Sequence, residues 1–376
     1  MHRRSLAQAL LAALALSACA TVAPRPTTIN SPPSASPPAA SPASIQPPAP
    51  LAPLPAPPVL PTLAALPGWA QEDHAGALAA FAAGCGAGRD LALAVVCRAA
   101  RALGPVGEEQ ARAFLERSFT PEPIATPGLL TAYFTPIYEA RRARGGEFTA
   151  PVRPPPADLP RGDDPAPYPE RAEIERRPAR DALAWMRPED LFFLQIQGSG
   201  LLAYPDGPQV KAVFAGSNGA PFRGVAAVLR GQGQLADDDT SGEAIHAWLA
   251  AHRGAQAEAV MREDPRYVFF RLAANDGAMP VGAAGVPLIP GRSLAVDPAS
   301  QALGELLWID AAAPALTGAF PSYRRLALAL DTGGAIKGAA RADLYLGVGP
   351  GAGLEAGRVR HVLRLYRLAP VLPAGS

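Results

Sequence analysis

The chain has 376 residues and a formal net charge of +1, with 34 basic against 33 acidic side chains. No basic block or aromatic-interleaved basic patch breaks that balance, which argues against nucleic acid as a partner. With 49% hydrophobic and 18% charged residues, the part that folds can bury a sizeable core.

Residues 1–19 read as a targeting segment. His2, Arg3 and Arg4 give a positive start, and Leu6 to Leu16 is an apolar stretch too short to span a bilayer. Leu16-Ser17-Ala18-Cys19 then resembles the end of a bacterial lipoprotein signal, whose cysteine, here Cys19, is acylated and becomes the new N-terminus. Ala20, rather than an acid, fits lipoproteins sent to the outer membrane. The alternative is an ordinary secretory signal with an incidental cysteine. Residues 20–68 hold 16 of the 44 prolines, which makes them a semi-stiff tether that buries too little to fold. Export places Cys85 and Cys97 in an oxidising compartment, where a disulfide and two small buried thiols are the competing readings.

Residues 69–128 read as a helical N-terminal portion, with segments ending at Gly84, spanning Leu91–Leu103, and spanning Glu108–Phe119. A strand follows from Leu129 to Pro136, then a long irregular excursion over residues 141–180. Leu191 to Tyr204 reads as a strand, turned at Pro205-Asp206-Gly207 and answered by Gln209 to Ala215. Helices are expected over Gly224–Leu229 and, as one piece, over Gly242–Met261. Tyr267–Arg271 is a strand, and short strands with turns fill the rest, a spacing that argues for a barrel.

Within that last third, Leu326 to Gly349 holds two acids, Asp331 and Asp343, among five glycines and Lys337. Leu326 to Leu330 is a short buried strand broken at Gly333-Gly334. Ala342, Leu344 and Leu346 alternate with Asp343 and Tyr345, so period two turns the acid and the tyrosine to one face, expected to look into a cleft. Burial raises the pKa of a carboxyl, and two nearby carboxylates push one pKa up, which yields a general acid usable near neutrality. Spacing alone leaves Asp331 and Asp343 nearly interchangeable in that role. In the plainer reading, Asp297 starts a turn and Asp331 accepts from the amides of Gly333 and Gly334.

Asp331-Thr332-Gly333 also spells the short signature of aspartic peptidases, which need two such loops; a single copy would require a homodimer. Gln195 to Gly200 places amides and a hydroxyl beside glycines, as a sugar ligand would suit, or is a bulged strand; it lacks the phosphate-loop lysine pattern. His74, His246, His252 and His361 have no metal-ligand spacing with Cys or acids, so no metal is expected. There is no Gly-x-Ser-x-Gly elbow.

Seven segments in order carry a resemblance to a known family. They are Leu130-Thr131-Ala132-Tyr133-Phe134-Thr135-Pro136, Phe193 to Gly200, Phe214 to Gly219, Pro265 to Phe270, Pro290 to Asp297, Asp331 to Gly338, and Asp343 to Gly347. Together they resemble the membrane-bound lytic murein transglycosylase A family, with a C-terminal three-aspartate domain. Departures are Ala132 where glycine is usual, and Phe214 and Phe222 where tyrosine is usual.

The resemblance implies a mainly β fold with an N-terminal helical portion: a double-psi β-barrel domain over 271–370 and a second, inserted barrel-like β domain over 129–270, with a glycan groove between them. It implies Asp343 as the single acid/base, Asp331 as its catalytic companion, and glycan binding by Thr131, Tyr133, Gln197, Gly198, Ser199, Asn218, Lys337 and Asp297. It further implies a monomer at the periplasmic face of the outer membrane, acting on peptidoglycan and held to the membrane by lipid on Cys19. A non-catalytic murein-binding lipoprotein on the same scaffold is the alternative. Most glycosidases need two carboxylates, but lytic cleavage takes its nucleophile from the substrate, the C6 hydroxyl of N-acetylmuramic acid, so the resemblance implies no metal and no cofactor.

Overall fold

The computed structural model describes residues 62–124, 127–160 and 168–372. The expected signal, the acylated Cys19 and residues 20–61 of the tether lie outside the described residues. The last residues assigned to that tether are already part of the fold: Leu63 and Leu66 are buried with Trp69 in the core.

Three helices open the chain: α1 (His74–Gly84), α2 (Leu91–Leu103) and α3 (Glu108–Ser118). Asp73 and Asp90 cap the first two by accepting from backbone amides of the first turn, and Glu108 and Glu109 open the third, where the helix dipole favours acids. Cys85 and Cys97 form a disulfide that ties the end of α1 to α2. Strands β1 (Phe119–Pro123), β2 (Gly128–Thr135) and β3 (Ile137–Glu139) follow.

The next stretch is irregular as expected, apart from β4 (Ala150–Val152), α4 (Arg171–Arg176) and β5 (Ala184–Met186). Leu191 to Gln197, expected as a strand, is helical. It lies in α5 (Pro188–Gln197), which begins on Pro188, carries Glu189 and Asp190 in its first turn, and stops at Gly198 in the left-handed conformation, φ +80°. Every residue from Glu189 to Gln195 is buried. A helix buried all round shows no amphipathic period, so its apolar run looks like a strand. The strand proper is β6 (Gly200–Ala203), which pairs antiparallel with β7 (Val210–Ser217) across the expected turn.

A short α6 (Ala226–Gly231) follows, and the single helix expected over Gly242–Met261 is two, α7 (Gly242–Ala251) and α8 (Ala255–Met261), parted at Gly254. Then come β8 (Val268–Ala274), β9 (Ser293–Val296), β10 (Leu306–Pro314), β11 (Ser322–Thr332), β12 (Arg341–Val348), α9 (Pro350–Ala356) and β13 (Arg360–Pro370).

The order β13-β10-β11-β9-β12-β2 closes on itself, because β2 also pairs with β13, and β1 adds to β13 outside the ring. This six-stranded barrel is packed on both faces. Leu307, Ile309, Ala327, Ala329, Ala342, Leu344, Leu363 and Leu365 share its interior cluster. The intervening Trp308, Leu326, Leu328, Leu330, Tyr345 and Tyr366 pack outward with Trp69, Phe81 and Phe119 of the helical portion. Double burial explains why Leu326 to Leu330 is apolar at every position. The inserted region holds the four-stranded sheet β3-β6-β7-β8, the pair β4-β5 and helices α4 to α8.

Candidate active site

Strand register brings the acids together. β9 lies between β11 and β12, and Ala295 on β9 is the register partner of Asp331 on one side and of Asp343 on the other. Across β12, Asp343 is paired with Thr131 of β2. The four residues form one row over four strands. Neighbouring strands stand about 4.8 Å apart, so the two aspartate backbones are roughly 10 Å apart with only the Ala295 methyl between them.

A bulge puts Asp331 in that row. Ala327 and Ala329 point into the barrel, so strict alternation turns residue 331 inward as well. The register with β9 slips between Ala329 and Asp331, and Asp331 emerges on the outer face with Asp343. Asp343 needs no such device: Ala342 and Leu344 face the interior, and the alternation read from sequence carries it outward with Tyr345.

Asp343 is half-buried, set deep among neighbouring groups yet open to the groove. Thr131 Oγ1 donates to Asp343 Oδ1, and Arg341 Nη2 donates to Thr131 Oγ1 at 2.8 Å. Burial pushes the Asp343 carboxyl above the ordinary carboxylate range, against the pull of the Arg341 charge and the Thr131 hydroxyl; the negative charge of Asp331 adds to the rise.

Asp331 is held by three donors. Its Oδ1 accepts from the amides of Ala283 at 3.0 Å and Thr332 at 2.9 Å, and its Oδ2 accepts from the Tyr133 hydroxyl at 2.8 Å. The donors are therefore not Gly333 and Gly334, as the plainer sequence reading had them. The Tyr133 phenol is pushed well above its usual range by burial and by Asp331, so it remains a donor. Its ring lies 5.2 Å from that of Tyr345, whose hydroxyl is 2.9 Å from Thr135 Oγ1.

The row opens into a groove of about 920 Å³. Tyr133, Ala295, Asp331, Asp343 and Tyr345 line its barrel side; Gln197, Gly198, Ser199, Lys211, Phe214, Arg266 and Arg271 line the insert side. Of the residues expected to bind glycan, Tyr133, Gln197, Gly198 and Ser199 thus border it. Gln197 Oε1 accepts from the Phe134 amide at 3.0 Å, so its side chain also ties α5 to β2.

The other four stand elsewhere. Thr131 is behind Asp343 rather than on the groove wall. Asn218 is buried in the insert, where its amide donates to the carbonyls of Pro169 and Pro265 and accepts from the Tyr267 amide. Its polar atoms brace the insert and do not line the groove. Asp297 accepts from the amides of Gly338 at 2.7 Å and Ala299 at 3.2 Å. The Gly338 bond first, then that of Ala299, holds its carboxyl below the usual range. Lys337 is 67% exposed, 3.9 Å from Asp297 and outside the groove lining. Asp297 therefore anchors the far end of the loop that begins at Asp331.

Sequence reasoning missed the basic side chains of the insert wall. Arg271 lies on β8 opposite Val213, and Lys211 pairs with Asp276 and the Ala278 carbonyl. A Cβ on Gly334 would lie 3.1 Å from Arg266 Cζ, so the glycine lets the loop pass over the guanidinium. Phe214, flagged as a departure, is 47% exposed on the wall, an apolar ring facing solvent within a groove. A smaller cavity of about 150 Å³ inside the insert is bordered by Arg171 and Glu175. Arg171 is committed to Gln195 and to the carbonyls of Asp264 and Arg266, and the cavity contains none of the row. Among the described residues, no group of three His, Cys, Asp or Glu side chains is placed to hold a metal ion.

Residues 129–271 match the MltA specific insert domain and residues 292–369 match the 3D domain. The chain is 36% identical over 259 residues to a membrane-bound lytic murein transglycosylase A of Escherichia coli strain K12, covering 65% of this chain and 67% of that one. Its structure is similar to the membrane-bound lytic murein transglycosylase from Agrobacterium tumefaciens, with a TM-score of 0.71, 32% identity, and coverage of 82% of this chain and 96% of that one. It is also similar to E. coli MltA with bound chitohexaose, with a TM-score of 0.64, 28% identity, and coverage of 78% and 90%.

Proposed function

The chain belongs to the membrane-bound lytic murein transglycosylase A family, and on that premise we propose that it cleaves the β-1,4 bond between N-acetylmuramic acid and N-acetylglucosamine in peptidoglycan, leaving a 1,6-anhydro end. Asp343 is the single general acid and base. The observation that carries this reading is the position of Asp343: half-buried, raised in pKa by that burial, and open to a groove of about 920 Å³.

In the first half of the reaction the Asp343 proton passes to the glycosidic oxygen as its bond to C1 breaks. In the second half the ionised Asp343 takes the proton of the C6 hydroxyl while that oxygen bonds to C1. The carboxyl ends as it began, and no water is consumed. Asp331, fixed by Tyr133 and two amides, presents a carboxylate across Ala295 toward the cationic centre that forms. Tyr133, Gln197, Ser199 and Phe214 bind the sugars, with Phe214 offering a stacking face. Asp297 and Lys337 shape the loop above Asp331.

The protein works attached to a membrane. Lipid on Cys19 supplies the attachment, and the proline-rich segment lets a monomer reach murein from the periplasmic face of the outer membrane. Mass spectrometry of the products released from purified sacculi tests the reaction. Anhydro-muropeptides are expected; reducing ends would make the enzyme a hydrolase, and binding without release would leave a murein-binding lipoprotein.

A further inference from the structure

Among the described residues, Asp343 receives one side-chain hydrogen bond, and its donor has a second partner. Arg341 Nη2 donates to Thr131 Oγ1 at 2.8 Å, and Thr131 Oγ1 donates to Asp343 Oδ1. A guanidinium has donors only, and a threonine hydroxyl has a single hydrogen. The Arg341 bond therefore occupies a lone pair of Oγ1, and the one hydroxyl hydrogen is directed at Asp343. In that bond Oδ1 is the acceptor, so the proton of the neutral acid is left to Oδ2.

Register holds this chain in place. Asp343 pairs with Thr131 and Arg341 with Leu129 along the parallel β2–β12 ladder. Arg341 Nη1 is planted on the carbonyls of Ala342 at 2.6 Å and Leu129 at 3.3 Å. The guanidinium can thus point at Oγ1 without reaching the carboxylate itself, and Thr131 stands outside the groove lining.

From this geometry we infer that Arg341 and Thr131 are positioning residues for the proposed reaction: they fix the transferable proton on Asp343 Oδ2 and hold the carboxylate left after its transfer. The inference rests on the transglycosylase reading above. It moves Thr131 from glycan binding to support of the acid and gives a role to Arg341.

The other groups facing Asp343 are Asp331 on β11, Tyr133 on β2 and Tyr345 on β12; β9 presents Ala295. Arg360 of β13 acts on Arg341, and Lys211, Arg266, Arg271 and Asp276 line the facing wall. Asp331 opposes Arg341, since its charge favours the protonated acid while the Arg341–Thr131 pair favours the ionised one.

The test is the pH profile of kcat/KM for Thr131→Val, Thr131→Ser and Arg341→Met, with thermal unfolding as the check on folding. Thr131→Val removes a donor to the ionised carboxylate, so the Asp343 pKa rises and the alkaline limb moves up by about one pH unit. Its kcat falls about tenfold or more while KM stays within about twofold. Thr131→Ser keeps the hydroxyl and restores the wild-type profile. Arg341→Met shifts the limb in the same direction as Thr131→Val, and decides the matter if that valine variant unfolds. A wild-type profile in both Thr131→Val and Arg341→Met overturns the inference, as does a raised KM with unchanged kcat, the mark of a sugar contact. An active Asp343→Asn enzyme would instead overturn the reading beneath it. Inactive Asp343→Asn with an unshifted valine profile overturns the positioning role alone.

Discussion

Asp331 and Asp343 face each other over a single strand, each in register with Ala295. Their polar surroundings differ. Asp331 accepts from two backbone amides and a phenol, whereas Asp343 has one hydroxyl donor and a carboxyl whose pKa burial raises. That asymmetry supports the proposal that Asp343 is the proton carrier, a question that spacing in the sequence leaves open.

The negative charge of Asp331 raises the Asp343 pKa. Asp331→Asn removes it and lets that pKa fall, which depletes the acid form near neutrality. The alkaline limb of kcat/KM is expected to move down by about half a pH unit, opposite to the shift expected for Thr131→Val. An unmoved limb would mean that the two carboxylates are not coupled.

Stability should respond to Asp343 as well. Its folded pKa is raised above the unfolded value, so between the two the native state binds more protons and stability falls as pH rises. Asp343→Asn removes this cost. The variant is expected to unfold at a higher temperature than wild type at pH 7, with the gain shrinking below the ordinary carboxylate pKa. A gain that is constant with pH, or none, contradicts the burial argument.

Much of the barrel could be read in advance from its short strands set between turn signals, and the period-two alternation of β12 alone turned Asp343 outward with Tyr345. Asp331 could not, since its exposure on the outer face depends on a bulge visible only against β9. Leu191 to Gln195 misled because a wholly buried helix has no polar face to reveal its period. Asn218 sits in a matched motif, and only its bonds to Pro169, Pro265 and Tyr267 show that it braces the fold. Lys211 and Arg271 were invisible as groove residues because pairing between distant strands creates that wall.

Phe214 is a large apolar ring left 47% exposed on the groove wall. Its removal should weaken sugar binding without touching proton transfer. Phe214→Ala is expected to raise KM about threefold to tenfold with kcat nearly unchanged, the size of a lost aromatic contact. A fall in kcat at constant KM would place the ring at the reacting sugar instead.

The Cys85–Cys97 bridge ties α1 to α2, and both cysteines are buried in the outward core. Closing a loop of this length contributes about 2–3 kcal/mol. The Cys85→Ser, Cys97→Ser double variant should lose about that much in denaturant unfolding, with the pH profile of the folded enzyme unchanged. An altered profile would couple the helical portion to the site.

The most direct measurement is the action of Asp343→Asn on purified sacculi, followed by mass spectrometry of the released fragments. Asparagine keeps the shape and has no proton to give, so release of anhydro-muropeptides is expected to fall by about a thousandfold or more, with native circular dichroism and retained binding to sacculi. Turnover near the wild-type rate in that variant would contradict Asp343 as the acid and base.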